Sequence, residues 1–171
     1  GWKSETTRDG KVLVLSRISH APGPDGQTRP IVEYRATTIV RADFERCLSV
    51  LKDVSSHKRI HDDKSSEVVS QLPDGDMIVH YTLKMIWPLP STDCVARMHV
   101  ERDSVARTAT VSLTGAPGEL PPRADRRLSE YQQTYILKDI GDGTVELGSR
   151  GRSAPPFAVP KWILNSAFPA A

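Results

Sequence analysis

Residues 76–102, DMIVHYTLKMIWPLPSTDCVARMHVER, decide the fold. Two runs with strand character, Ile78–Met85 and Asp93–Val100, flank the connection Trp87-Pro88-Leu89-Pro90-Ser91-Thr92. Proline has no N–H to give to a ladder, so Pro88 and Pro90 belong between the strands. In the second run Cys94, Ala96, Met98 and Val100 share one face, and Val95, Arg97, His99 and Glu101 share the other. That period of two predicts a half-buried antiparallel strand. In the first run Tyr81, Leu83 and Met85 alternate with His80, Thr82 and Lys84. His80 and His99 then fall on the outer face, as solvated strand histidines.

Working outward, Lys11–Ile18 (KVLVLSRI) and the β-branched Ile31–Val40 read as strands, with a Pro/Gly-rich loop between them. The period then changes. Phe44, Cys47, Leu48 and Leu51 fall at i, i+3, i+4 and i+7, the stripe of a helix that Asp43 caps and that stops near Val54. The segment 57–64, HKRIHDDK, puts His57 and His61 four apart beside two carboxylates. This spacing can ligate a metal, but an exposed helical turn is the expected reading and no metal site is assigned. Glu67–Leu72 and Arg107–Leu113 supply further strands. Gly115–Arg126 is a long Pro- and Gly-rich loop, either a lid or a solvated connection. Leu128–Ile140 and Thr144–Arg152 form a hairpin about Gly141-Asp142-Gly143. On it Tyr131, Gln133, Tyr135 and Leu137 share a face that Val145 and Leu147 continue. After a Pro-rich linker, Pro160 opens a helix with Trp162, Ile163 and Phe168 facing inward.

A chain of 171 residues is enough for one domain with a real core, and 38% hydrophobic with 26% charged residues is an ordinary soluble composition. A net charge of +2, with basic residues interleaved among acidic ones, does not point to nucleic acid. No apolar run approaches bilayer length, and no signal peptide is visible. The compartment stays open, either cytoplasmic or exported with a signal segment outside this chain. Cys47 and Cys94 are too few for a disulfide framework, and no bond between them is expected. Phosphate-binding glycine loops, nucleophile elbows and redox cysteine pairs are absent from the sequence, so no catalytic residue and no cofactor is assigned. The inward strand positions carry Ala36, Thr38, Ala96, Met98, Ala109 or Thr110, Ser149 and Gly151. Such small and flexible residues fit either a cavity wall or an ordinary close-packed core.

The central hairpin resembles that of START (steroidogenic acute regulatory protein-related lipid-transfer) domains, in a bacterial-type, helix-grip form. Trp87, Pro88, Leu89, Asp93, Val95 and Arg97 carry the resemblance, with Cys94 where an aromatic is usual. Trp2, Arg17, Glu33-Tyr34, Ala42, Asp53-Val54, Pro160-Lys161-Trp162 and Asn165 extend it in order over nearly the whole chain. The resemblance implies an α+β helix-grip (START/Bet v 1-like) fold over 1–171: a curved antiparallel sheet around a C-terminal helix, here truncated, with an internal hydrophobic cavity. It implies a short second helix at 57–64 and non-catalytic binding of a lipid or other hydrophobic molecule, for transfer or sensing. The expected wall is Leu83, Met85, Ala96, Met98, Thr110, Val111, Leu113, Gln133, Tyr135, Leu137, Leu147 and Trp162. The expected gate is Ile86, Trp87, Pro88 and Leu89, with transient membrane contact through that loop; Trp87 as a buried anchor is the competing placement. A cyclase- or hydratase-like enzyme of the same superfamily, or an interaction module with a filled core, are the alternatives. Many START-like sequences carry a second arginine where this chain has Met98. A neutral or weakly polar ligand is therefore expected, unless Arg107 or Arg150 reaches inward.

Overall fold

The computed structural model describes residues 1–163 of the chain. Ten strands form one sheet: β1 (Lys3–Thr6), β2 (Val12–Pro22), β3 (Thr28–Arg41), β4 (Ser65–Gln71), β5 (Met77–Leu83), β6 (Thr92–Asp103), β7 (Thr108–Gly115), β8 (Arg126–Arg127), β9 (Glu130–Gly141) and β10 (Thr144–Ala154). Helices α1 (Phe44–Lys52) and α2 (Val54–Ile60) lie between β3 and β4. The strand order is β1-β2-β3-β10-β9-β7-β6-β5-β4, and β8 adds to β6 as a short parallel partner. Neighbours along the main path are antiparallel, and β1 and β4 are its open edges. The β9–β10 turn is held by φ of 90° at Gly141, 54° at Asp142 and 65° at Gly143. Glycine on either side of Asp142 supplies that left-handed run at little cost.

Local chemistry places the helices. The Asp43 carboxylate accepts the Arg46 amide at 2.9 Å and starts α1. Leu48 and Leu51 are buried, with Phe44 and Cys47 half-buried beside them. Asp53 ends α1 and starts α2 in one residue, accepting from the Ser55 amide at 3.1 Å and the Ser55 hydroxyl at 2.6 Å. The helix-bearing face is the inner face. There Val79, Tyr81, Cys94, Ala96, Met98, Val111, Leu113, Tyr135, Leu137 and Val145 pack with Leu48, Leu51 and Val54 into the core. The predicted alternation of the central hairpin is present, with Tyr81 opposite Cys94 and Val79 opposite Ala96.

The outer face of that hairpin corrects the expectation for His80. The segment between Gly115 and Leu128 is neither a lid nor a free connection. Its amides bond back to β6, from Ala116 to the Val95 carbonyl at 2.8 Å and from Leu128 to the Asp93 carbonyl at 2.9 Å. Arg127 is its clasp: it donates to the Pro117, Leu120 and Pro121 carbonyls and, at 2.8 Å, to the Asp93 carboxylate. Beneath it Ile78, His80, Asp93 and Val95 are all buried. His80 sits between the Asp93 carboxylate (3.0 Å) and the Glu67 carboxylate (3.1 Å). His99 and Arg97, beyond this cover, are exposed as expected and share Asp76. β1 has no counterpart in the sequence reading.

Candidate functional site

The inner face divides in two. On β5, β6, β7 and β9, beneath α1 and α2, it is filled by the core. On β3 and β10 the inner positions Tyr34, Ala36, Thr38, Leu147, Ser149 and Gly151 are half-buried. Cross-strand register brings them together: Tyr34 faces Gly151, Ala36 faces Ser149, and Ser149 faces Tyr135. Small side chains on adjacent strands leave room that a packed core would fill. Gly151 is required here, because a Cβ on it would stand 2.1 Å from the Tyr34 ring.

Two polar groups border this surface. In the first, the Tyr34 hydroxyl donates to the Gln133 side-chain oxygen at 2.5 Å, and the Gln133 amide donates to the Ser149 hydroxyl at 2.9 Å. In the second, the α2 side meets β9: His61 Nε2 lies 2.5 Å from the Tyr135 hydroxyl, and His61 Nδ1 lies 3.4 Å from the Asp63 carboxylate. The Tyr135 ring stacks on His61 with centroids 6.2 Å apart. Burial holds the Tyr135 phenol well above its ordinary range, so it stays protonated. The tautomer with its proton on Nδ1, toward Asp63, lets Nε2 accept from the Tyr135 hydroxyl. The Tyr135 oxygen keeps a lone pair to offer to a hydroxyl donor.

Behind this pair His57 is fully buried, which corrects the expectation of an exposed histidine turn. Its Nε2 faces the Leu51 carbonyl at 2.7 Å and its Nδ1 the Tyr81 hydroxyl at 2.8 Å. A carbonyl only accepts, so Nε2 carries the proton and Tyr81 donates to Nδ1. Burial pushes the His57 pKa below its ordinary value of 6.5, which fits a neutral ring. The histidine spacing thus serves helix-to-sheet attachment and the Tyr135 contact. Among the described residues no group of three or more His, Cys, Asp or Glu is arranged to hold a metal.

The expected wall residues are distributed unevenly. Ala96, Met98, Val111, Leu113 and Leu137 lie inside the packed core, Leu83 and Leu147 are half-buried at its margin, and Met85, past the end of β5, is half-buried away from it. Gln133 and Tyr135 stand at the polar groups described above. Thr110 is a correction: its neighbours Ala109 and Val111 face inward, and it lies opposite Ile136 on the outer face. Trp162 is another, being 60% exposed, while Ile163 beside it is buried. Arg107 pairs with Asp139 at the surface, and Arg150 is exposed opposite Arg35 on the outer face, so neither reaches inward. At the gate Trp87 is 88% exposed and Ile86 is exposed as well, which excludes the buried-anchor placement of Trp87. Phe168, Asn165 and the rest of the expected C-terminal helix lie outside the described residues. Tyr34, His61 and Asp63 were missed as site residues. Strand alternation from Glu33-Tyr34 and the His57/His61 spacing were the signals that could have found them.

No protein-family model matches the chain, and no curated protein matches it in sequence. Solved structures do match in three dimensions. A STAR-related lipid transfer protein from Xanthomonas axonopodis superposes with a TM-score of 0.76 at 19% identity, covering 98% of this chain and 90% of that one. Human StAR-related lipid transfer protein 5 gives 0.77 at 17% identity, over 99% of this chain and 79% of that one. The Zhui aromatase/cyclase from Streptomyces is more distant, at 0.51 and 13% identity over 77% of this chain and 72% of that one. With the lipid transfer structures superposing over nearly its whole length, this chain has the START-type helix-grip α+β fold.

Proposed function

We propose that the chain binds a lipid or other hydrophobic small molecule, neutral or weakly polar, against the inner face of β3, β9 and β10, for transfer or sensing rather than catalysis. The observation that carries this is the half-buried surface of Tyr34, Ala36, Leu147, Ser149 and Gly151, bordered by two hydrogen-bonded groups that could orient a hydroxyl. Two of the structural neighbours are lipid transfer proteins by name, which supports the ligand class. Covering apolar ligand surface at about 25 cal/mol per Å² supplies several kcal/mol without an ion pair. The position of Met98 in the core, and of Arg107 and Arg150 outside, agrees with a site that carries no guanidinium. A fatty acid and its methyl ester should therefore bind within a fewfold of each other at neutral pH. A strong preference for the free acid in a competition assay would overturn the neutral-ligand reading.

The hairpin tip serves as the entry. Trp87 and Ile86 put apolar bulk into solvent, where a turn ordinarily carries polar residues. An indole suits the membrane–water boundary. Trp87→Ala should slow lipid pickup from vesicles severalfold and move the melting temperature by less than about 2 °C, because so exposed a side chain contributes little to the core. Unchanged transfer rates by a fluorescent-lipid assay would remove the loop from the pathway. A cyclase-like reading would use Asp63, His61 and Tyr135 as an acid–base set. It is disfavoured because burial raises the Tyr135 phenol far from the range of an effective general acid. Extracting the purified protein and identifying bound molecules by mass spectrometry tests the proposal, and turnover of an added polyketide would favour the cyclase.

A further inference from the structure

The outer face of β2, β3 and β10 carries a cluster that the inner site does not use. Two guanidinium groups lie over the Trp2 ring, that of Arg17 at 4.8 Å and that of Arg35 at 4.9 Å from its centroid. Arg35 and Arg150 are exposed and directly opposite each other on paired antiparallel strands. Like charges in that position repel, and ordinarily a carboxylate intervenes. The two nearby carboxylates are paired with other arginines. Glu33 takes Arg17 at 2.5 Å and Arg152 at 3.4 Å, and Glu130 takes Arg152 at 2.6 Å. Among the described residues Arg35 and Arg150 have no carboxylate partner. They border a depression of about 280 Å³ that Gln132, Thr134 and Arg152 also line, together with Glu33, whose charge Arg17 and Arg152 neutralise.

We infer that this depression is an oxyanion site, built for a phosphate group carried either by a soluble molecule or by a lipid headgroup. Two planar guanidinium forks offer paired N–H donors that match phosphate oxygens, and the Gln132 amide and Thr134 hydroxyl add neutral donors. A bound dianion turns the Arg35–Arg150 repulsion into attraction. The Trp2 ring restrains the Arg35 guanidinium and lowers the cost of ordering it. The site is independent of the ligand proposed for the inner face.

The test uses the full chain. Inorganic phosphate is titrated calorimetrically against it at constant ionic strength, with chloride as the reference. The same chain is then mixed with vesicles of phosphatidylcholine alone or with added phosphatidic acid. Saturable phosphate binding, weakened about tenfold by Arg35→Gln or Arg150→Gln and unchanged by Arg107→Gln, is the expected result. Binding confined to the phosphatidic acid vesicles and lost in the same two variants also supports the site and assigns the phosphate to a lipid. Phosphate binding with no vesicle preference assigns it to a soluble molecule. All three variants alter exposed side chains, and their melting temperatures show whether each is folded. No saturable response to either probe, or a response equal in the Arg35→Gln/Arg150→Gln double variant, overturns the inference.

Discussion

Asp93→Ala is expected to cost about 3–5 kcal/mol of unfolding free energy, the largest single effect in the chain outside the apolar core. The Asp93 side chain is fully buried, yet it holds Arg127 at 2.8 Å and His80 at 3.0 Å. Removing the carboxylate strands the Arg127 guanidinium, which is itself mostly buried and is the clasp of the 116–127 segment. That segment bonds to β6 at Val95 and meets His80 through Arg123, so its release would also expose the outer face around His80 and Val95. Burial raises the Asp93 pKa, but hydrogen bonds from Arg127 and His80 outweigh it and hold the carboxyl below its ordinary 3.8. A depressed carboxylate stabilises the fold above its unfolded pKa, and the contribution is lost as pH falls through the folded value. His57 acts in the same direction at higher pH: buried and neutral, it must gain a proton on unfolding below its ordinary 6.5. Urea unfolding should therefore show stability declining below about pH 6.5, then a steeper loss below about pH 4. Asp93→Ala should lessen the second decline without abolishing it, because other depressed carboxylates such as Asp76 and Glu33 titrate in the same range. A variant as stable as the parent at neutral pH would refute the clasp.

Ser149→Trp is expected to reduce affinity for a hydrophobic ligand by roughly a thousandfold while lowering stability by only about 1 kcal/mol. Ser149 stands at the centre of the half-buried surface, opposite Ala36 on β3 and Tyr135 on β9. An indole there would cover roughly 150 Å² or more that the ligand otherwise covers, worth about 4 kcal/mol at 25 cal/mol per Å². The stability cost is the Gln133-to-Ser149 hydrogen bond. Ala96→Trp is the contrasting change. Ala96 has no exposed surface and sits among Val79, Met98 and Leu113. An indole there overpacks the core, so it should destabilise the fold more than it alters binding. Titration of both variants with a fluorescent sterol or acyl probe, beside their unfolding curves, separates ligand space from core. Equal binding by Ser149→Trp and wild type would place the ligand elsewhere.

Alternation made the central hairpin legible, since one face of β6 is apolar at every second residue from Cys94 to Val100. The Asp43 cap and the Gly141-Asp142-Gly143 turn were legible because each depends on residues adjacent in sequence. What failed depends on distant segments. Parity put His80 on the outer face and was right, but nothing local announces that residues 116–127 return to bury it. β1, with the polar sequence KSET and every residue exposed, has no pattern to read and exists because β2 offers it an edge. Thr110 was placed against the strand's own alternation, in which Ala109, Val111 and Leu113 form an apolar face and Thr108, Thr110 and Ser112 a polar one. Pairing of Val111 with Tyr135 and of Ala109 with Leu137 puts the apolar face inward. For the site, Gln133, Tyr135 and Leu147 were found by alternation along β9 and β10. Tyr34, His61 and Asp63 needed the three-dimensional meeting of β3, β9 and the end of α2.

The most direct measurement is organic extraction of the freshly purified chain, followed by mass spectrometry, beside Ser149→Trp and an unrelated protein from the same cells. A neutral lipid or comparable hydrophobic molecule should accompany the wild-type chain in near-equimolar amount and be depleted in Ser149→Trp. A wild-type extract no richer than the unrelated control, together with no uptake of sterol or acyl probes from vesicles, would contradict the proposed function.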